Sequence, residues 1–376
     1  MRDLKWIVLI TMLFFACSGK ETSDSGNPPE TLQWLTFSGK DDKPTIVLIS
    51  GDEEYRSEEA LPMLARVLSV HHGFNCIVLF AQDPDQPGVI NPNYLHHIPG
   101  LEELNEADLM IIFTRFRALP DEEMIHVDQF LKAGKPVVGI RTATHAFDFR
   151  DTTFESSYRH YGNFHNSEDV WDGGFGRYIL GEQWISHHGR HRYQSTRGIP
   201  APSMADHPIL NGIEPGAIWG PSDVYEVRLP LPGDAQPIVM GQVIESTQPY
   251  DTADIYYGLK PTDSELATKK TIKNRKTGTE KVINPNDPMM PIAWIKSYQL
   301  PEGKKGKVFT STIGSSTDLV SEGTRRLLVN GVFWALDLEV PSQAKVDFVG
   351  DYNPTVFEFK DPDYWTSRNL MVEALN

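Results

Sequence analysis

Cysteine is nearly absent from this chain: 376 residues hold two, Cys17 and Cys76. A disulfide framework is therefore excluded as the basis of the fold. None is needed, because a compact chain of ~300 residues buries roughly three quarters of its unfolded surface. Positive charge is also short. Lysine and arginine number 35 against 51 aspartates and glutamates, a net charge of −16. Phosphate contacts require a basic face, so nucleic acid is excluded as a partner. Long hydrophobic runs are missing too. The longest, from Trp6 to Ala16, falls short of the ~20 residues that span a bilayer. Two motifs are lacking as well. No glycine-rich phosphate or dinucleotide loop follows a strand, since Gly173-Gly-Phe-Gly176 lies in a loop-rich stretch. No serine nucleophile elbow is present, because the strand-to-turn position reads Gly139-Ile-Arg141-Thr-Ala143. What remains is ordinary globular composition, 40% apolar and 23% charged, enough for one large domain or two modest ones.

The short apolar run follows Arg2 and Lys5 and ends at Cys17, the pattern of a secretory signal peptide. Phe14-Phe15-Ala16-Cys17 resembles a bacterial lipobox, with Phe14 in place of the usual leucine. Residues 1–17 are thus expected to be a signal peptide. A lipid on Cys17 would hold the mature protein to the bacterial cell envelope without spanning the membrane. Residues 18–43, rich in Ser, Gly, Pro, Asp and Lys, read as a flexible tether. Cys76 would then have no partner, and its apolar surroundings suit a buried, inert thiol.

From Pro44 apolar strands alternate with helices. Thr45–Ser50, Cys76–Phe80, Leu109–Thr114 and Pro136–Arg141 are short, almost wholly apolar runs, as expected of strands buried on both faces. Ser57 reads as the N-cap of a helix carrying Leu61, Leu64, Ala65 and Leu68. A second helix opens at Pro120 with acids in its first turn and carries Met124, Val127, Phe130 and Leu131. The alternation predicts a parallel α/β sheet. Residues 150–235 suggest long loops and short strands, and 250–288 a polar, solvated insertion. Strands return at Pro291–Tyr298 and Val308–Ile313, and a last helix runs from Glu322 to Leu336. The tail 341–376 carries Phe348, Phe357, Phe359 and Trp365 and is expected to pack on the 44–340 domain.

Ligands of such sheets bind beyond the carboxyl ends of the strands. Three segments fall there: Gly51-Asp52-Glu53-Glu54-Tyr55-Arg56, Thr114-Arg115-Phe116-Arg117 and Arg141-Thr-Ala-Thr-His145. Carboxylates, arginines and a histidine thus converge on one edge. Glu54, Asp52 or Glu53 could move a proton, and each could equally be a salt-bridged loop residue. His187 and His191, in Ser186-His-His-Gly-Arg-His191, have a spacing used by metal ligands, although Gly189 weakens a helix there. Binding of a divalent metal such as zinc, acid–base work by a neutral imidazole, hydrogen bonding to a sugar and a structural cluster all remain open. Trp171-Asp172, Trp184 and Trp219-Gly-Pro-Ser-Asp223-Val-Tyr225 offer flat rings beside carboxylates, a combination that suits a carbohydrate.

As a set these stretches resemble the ThuA-like (trehalose-utilisation) family, on a class I glutamine-amidotransferase-like, flavodoxin-like fold with helices on both faces and long loop insertions. The carrying residues are Gly51–Glu59, Phe113–Arg117, Gly139–Phe147, Trp171–Gly176, Ser186–Gly189, Asp287–Trp294 and Arg325–Asn330. The resemblance implies a role in carbohydrate catabolism, on glycosides or sugars oxidised to 3-keto forms. Amidotransferase activity is not expected, since Arg141 occupies the elbow. The expectation is an exported enzyme using Glu54, Asp52 and His145 as acid–base groups. Glu53, Tyr55, Arg115, Arg117, Arg141, Trp171, Asp172 and Asp223 would bind substrate, and His187 and His191 would act as acid–base groups or metal ligands. The alternative is a sugar-binding lipoprotein without catalysis.

Overall fold

A computed structural model describes residues 31–273 and 277–376. The expected signal peptide, Cys17, and residues 274–276 of the polar insertion lie outside the described residues. The apolar runs form strands as their composition requires: β1 (Trp34–Phe37), β2 (Thr45–Gly51), β3 (Asn75–Phe80), β4 (Leu109–Thr114) and β5 (Val137–Ile140). The second half adds β6 (Gln194–Pro200), β7 (Trp219–Gly220), β8 (Gln236–Glu245), β9 (Lys270–Lys273), β10 (Glu280–Ile283), β11 (Met290–Gln299) and β12 (Lys305–Ser311). Ten strands make one sheet in the order β1-β3-β2-β4-β5-β12-β11-β8-β6-β7. The contiguous set β3-β2-β4-β5-β12 is parallel. Counted along the chain, these five strands follow the 2-1-3-4-5 order of flavodoxin-like sheets.

The sheet is not parallel throughout. β11, β8, β6 and β7 extend it antiparallel on one side, and β1 pairs antiparallel with β3 on the other. Residues 34–37, assigned by composition to the tether, are therefore an edge strand, with Leu35 fully buried. The 250–288 insertion is not wholly solvated either. β9 and β10 form a separate hairpin, but Tyr257, Leu259 and Ala267 are buried.

Burial on both faces explains the unbroken apolar strands. In β2, Ile46 and Leu48 point into one core layer, with α1 (Ser57–His72) and α3 (Glu322–Ala335). Val47 and Ile49 point into the other, with α2 (Asp121–Lys132). Leu61, Leu64 and Leu68 are the buried stripe of α1, and Met124, Val127, Phe130 and Leu131 that of α2. Past Val340 the tail crosses back over the α1 side. Met371 bridges to Val89, Phe357 is fully buried, and α4 (Pro362–Arg368) seats Trp365 at 1% exposure.

The start of α1 departs from the capping expectation. Ser57 is the first helical residue, and its hydroxyl accepts from the Asp52 amide at 3.0 Å instead. The preceding Arg56 takes the left-handed conformation at φ 60°. Glu58 is completely buried there. One carboxylate oxygen lies 3.5 Å from the Arg56 guanidinium and the other has no hydrogen-bond partner. Burial pushes its pKa up to about 7, against the pull of Arg56. A pKa raised on folding gives stability that is full below the unfolded value and lost as pH rises through the folded one. Glu58→Gln is therefore expected to gain about 2–3 kcal/mol on wild type between pH 5 and pH 8. Urea unfolding at the two pH values measures this, and a pH-independent difference would refute it.

Candidate functional site

The switch point of a 2-1-3-4-5 sheet lies between its first and third strands, here the loops leaving β2 and β4. In the first loop Asp52 faces inward. Its carboxylate accepts from the amides of Glu54, at 2.7 Å, and Tyr55, and from the Thr142 hydroxyl. It is fully buried, and burial, reinforced by Glu53, lifts its pKa to about 6. Asp52, expected as an acid–base group, thus fastens the first loop to the third and does not line the pocket. Glu53 bridges Arg115 and, at 2.6 Å, Arg117. The guanidinium of Arg117 is buried and donates to the carbonyl oxygens of Arg115, Pro92 and Tyr94 at 2.8–3.0 Å. Arg117 and Glu53 tie loops together, and neither lines the pocket described below.

Arg141 follows β5 directly, with φ 48°, a strained value for a residue with a side chain. The strand-to-turn geometry of an elbow is present, but the side chain turns into the protein. It donates to the carbonyl oxygens of Asp223 at 2.8 Å and Thr312 at 2.6 Å. It also reaches the Tyr55 hydroxyl at 3.1 Å and the Asp223 carboxylate at 3.2 Å. The rings of Tyr55 and Tyr225 lie 4.4 and 3.8 Å from its guanidinium carbon. Arg141 and Tyr55 therefore form a buried strut and not a substrate clamp.

Beside this strut is a pocket of about 220 Å³ lined by Glu54, Arg115, His145, Trp184, His187, His191, Arg192, Tyr225 and Phe359. A larger depression of about 760 Å³, at the amino ends of the parallel strands, includes Lys43, Pro136 and Lys305 but no histidine. His187 and His191 reach the smaller pocket without a helix. His187 forms a bridge with Tyr225, and the amides of His188 and Gly189 both donate to the Val224 carbonyl. Gly189 permits this approach, since a Cβ there would lie 3.0 Å from that of Asp223. Asp223 then accepts from Nδ1 of His187 at 3.0 and 3.2 Å and from Nδ1 of His191 at 3.0 Å. The His191 Nε2 lies 3.2 Å from Glu54. His188, the middle histidine, is turned away to the Pro285 carbonyl at 2.7 Å.

The charges follow from these contacts. Burial raises the Glu54 pKa, but the His191 hydrogen bond and the charges of His191, Arg115 and His187 outweigh it, so Glu54 lies below its ordinary value. Burial lowers that of His191, and its bonds to Asp223 and Glu54 reverse the sign. His145 is buried and also faces Arg115 and Arg141, which holds it well below the usual imidazole value and neutral. It packs against Phe116, Trp184 and Tyr225 at centroid distances of 4.9–6.0 Å. Arg115 is the one arginine of the original three on the pocket wall, held between the rings of Phe116 and Phe359.

The structure thus gathers Glu54, His145, Arg115, His187 and His191 around one pocket, with buried Asp223 behind the two histidines. Trp171 lies elsewhere, packed on Tyr161 and Tyr178 at 4.6 and 4.8 Å, and neither it nor Asp172 lines the pocket. Trp184 and Tyr225, which the sequence offered as flat rings suited to a sugar, line the pocket, whereas sequence reasoning gave no site role to Arg192 or Phe359. The signal for Arg192 was its place directly after His191. Phe359 carried none, because the tail that delivers it follows the last core helix.

No family model matches the sequence, and no curated protein matches it. Among solved structures, an exo-β-1,4-mannosidase from Opitutaceae bacterium strain TAV5 aligns at 9% identity and a TM-score of 0.27, over 78% of this chain and 36% of its own. A protein described as ThuA-like from Bacteroides uniformis aligns at 13% identity and a TM-score of 0.38, over 79% of this chain and 94% of its own. The chain is also similar to a protein described as ThuA-like from Parabacteroides merdae, at 14% identity and a TM-score of 0.40, over 85% of this chain and 98% of that one.

Proposed function

We propose that the chain is a carbohydrate-catabolic enzyme that moves a proton on a keto-sugar, with Glu54 as the base. The observation that carries this reading is the mixed lining of the pocket. Glu54 and three histidines line it together with the rings of Trp184, Tyr225 and Phe359. Aromatic faces suit the apolar face of a sugar ring, and polar groups its hydroxyl edge. Glu54 is held below its ordinary pKa by His191 and Arg115, so it is ionised at neutral pH, the form that can accept a proton. Removal of a C–H proton beside a ketone puts negative charge on the ketone oxygen, and Arg115 on the same wall would offset it. Protonated Glu54 then returns the proton to carbon, and neutral His145 can offer a ring N–H as a hydrogen bond to the substrate. The resemblance to the ThuA-like family supports a 3-keto-sugar as the substrate class.

Two-carboxylate hydrolysis fits less well. Asp223, the second carboxylate of the cluster, is already engaged by His187, His191 and Arg141. The test is deuterium exchange. Methyl 3-keto-glucoside incubated with the protein in deuterium oxide is expected to lose the proton signals beside its ketone well above the protein-free rate. Binding of the sugar without accelerated exchange would convert the reading to that of a sugar-binding protein.

A further inference from the structure

We propose that His187, His191 and Asp223 bind a divalent transition metal of the zinc class. The proposal deepens the functional reading above by giving the same pocket a cofactor. One ligand atom from each residue lies within 4.8 Å of the others, the only such group among the described residues. The separations are close to those of an occupied site. The nitrogen–oxygen distances are 3.0–3.2 Å. A tetrahedral zinc with bonds of ~2.0–2.1 Å has ligand–ligand edges of about 3.3 Å. The two histidine–carboxylate edges are thus within a few tenths of an ångström of that value.

The donor types select the ion. Two imidazoles and one carboxylate suit zinc, iron, cobalt or nickel, whereas calcium and magnesium favour sites built wholly of oxygen. Three protein donors are the complement of catalytic zinc sites, which keep a position for substrate.

The surroundings match as well. With Nδ1 of His191 on the ion, its Nε2 lies 3.2 Å from the Glu54 carboxylate, with the Arg192 Nε at the same distance. That is the carboxylate–histidine–metal arrangement that fixes ring orientation and raises ligand basicity. Arg141 holds both the carboxylate and the main-chain carbonyl of Asp223, which fixes the third donor. In the ion-free state the two Nδ1–H groups instead donate to Asp223, so binding releases those protons as the ion takes their place.

The test uses the full chain without a polyhistidine tag, stripped with chelator and titrated with Zn(II) by calorimetry and with Co(II) by visible spectroscopy. One ion per chain is expected, with the intense ligand-field bands of four-coordinate cobalt. His187→Ala and His191→Ala are each expected to weaken binding by at least about 100-fold, whereas His160→Ala leaves it unchanged. His187 is partly exposed, so its loss leaves the fold intact, and circular dichroism of each variant confirms this. Absence of stoichiometric binding, or full affinity in both histidine variants, overturns the proposal. The readout is separate from proton exchange. Metal binding without exchange upholds this site and removes the acid–base reading, and exchange by a protein that binds no stoichiometric metal does the reverse.

Discussion

Arg141→Ala is expected to lower the unfolding free energy by about 3–5 kcal/mol, the loss typical of removing one partner from a buried ion pair. The residue looks like a substrate ligand in sequence, since it directly follows a strand at the carboxyl edge of the sheet. Its contacts say otherwise. The guanidinium is fully buried and serves two carbonyl oxygens, a tyrosine hydroxyl and the Asp223 carboxylate. Truncation leaves those acceptors unsatisfied and opens a void between Tyr55 and Tyr225. It also leaves Asp223 buried with only histidines to balance it. Urea unfolding followed by circular dichroism gives the value. A loss under about 1 kcal/mol would show that the strut is dispensable and return Arg141 to the list of substrate ligands.

Glu54→Gln is expected to slow deuterium exchange by about 10²–10⁴-fold, the contribution typical of a positioned general base. Sugar affinity should change little, because glutamine keeps the shape and can still accept from His191. Calorimetric titration with methyl 3-keto-glucoside reads the affinity, and proton NMR reads the exchange. Loss of rate at constant affinity identifies a group used in the transition state. Exchange at the wild-type rate would move the base to another residue, with His145 the next on the wall. Equal losses in affinity and rate would make Glu54 a binding group.

The parallel core was legible because its strands are buried on both sides. Thr45–Ser50 and Leu109–Thr114 have no polar alternation to confuse them, and the structure places strands at Thr45–Gly51 and Leu109–Thr114. Of the antiparallel half, Pro291–Tyr298 was legible and is β11, but β6, β7 and β8 were not. Gln194–Pro200 shows no apolar period, and buried Ser195 and Thr196 sit inside it, held by pairing with the next strand. Among site residues, one edge of the sheet was visible but the division of labour was not. Arg115, Arg117 and Arg141 are the same residue type in equivalent loops. Only the carbonyl oxygens of Pro92, Tyr94, Thr312 and Asp223, distant in sequence, decide which guanidinium is consumed. Asp52 and Glu54 differ in the same way, one meeting backbone amides and the other meeting histidine.

The tail has a consequence for the order in which the protein becomes competent. Phe357 stacks on Tyr55, and Phe359 covers Arg115 at the pocket wall. Both follow the last core helix in chain order, whereas β2 and β4, which anchor the site, are made early. As the chain leaves the ribosome, the sheet can assemble while the pocket still lacks one side. The enclosed cavity exists only once residues 357–359 have been made and have folded back, so a chain cut before them carries the acid and histidine set without its enclosure.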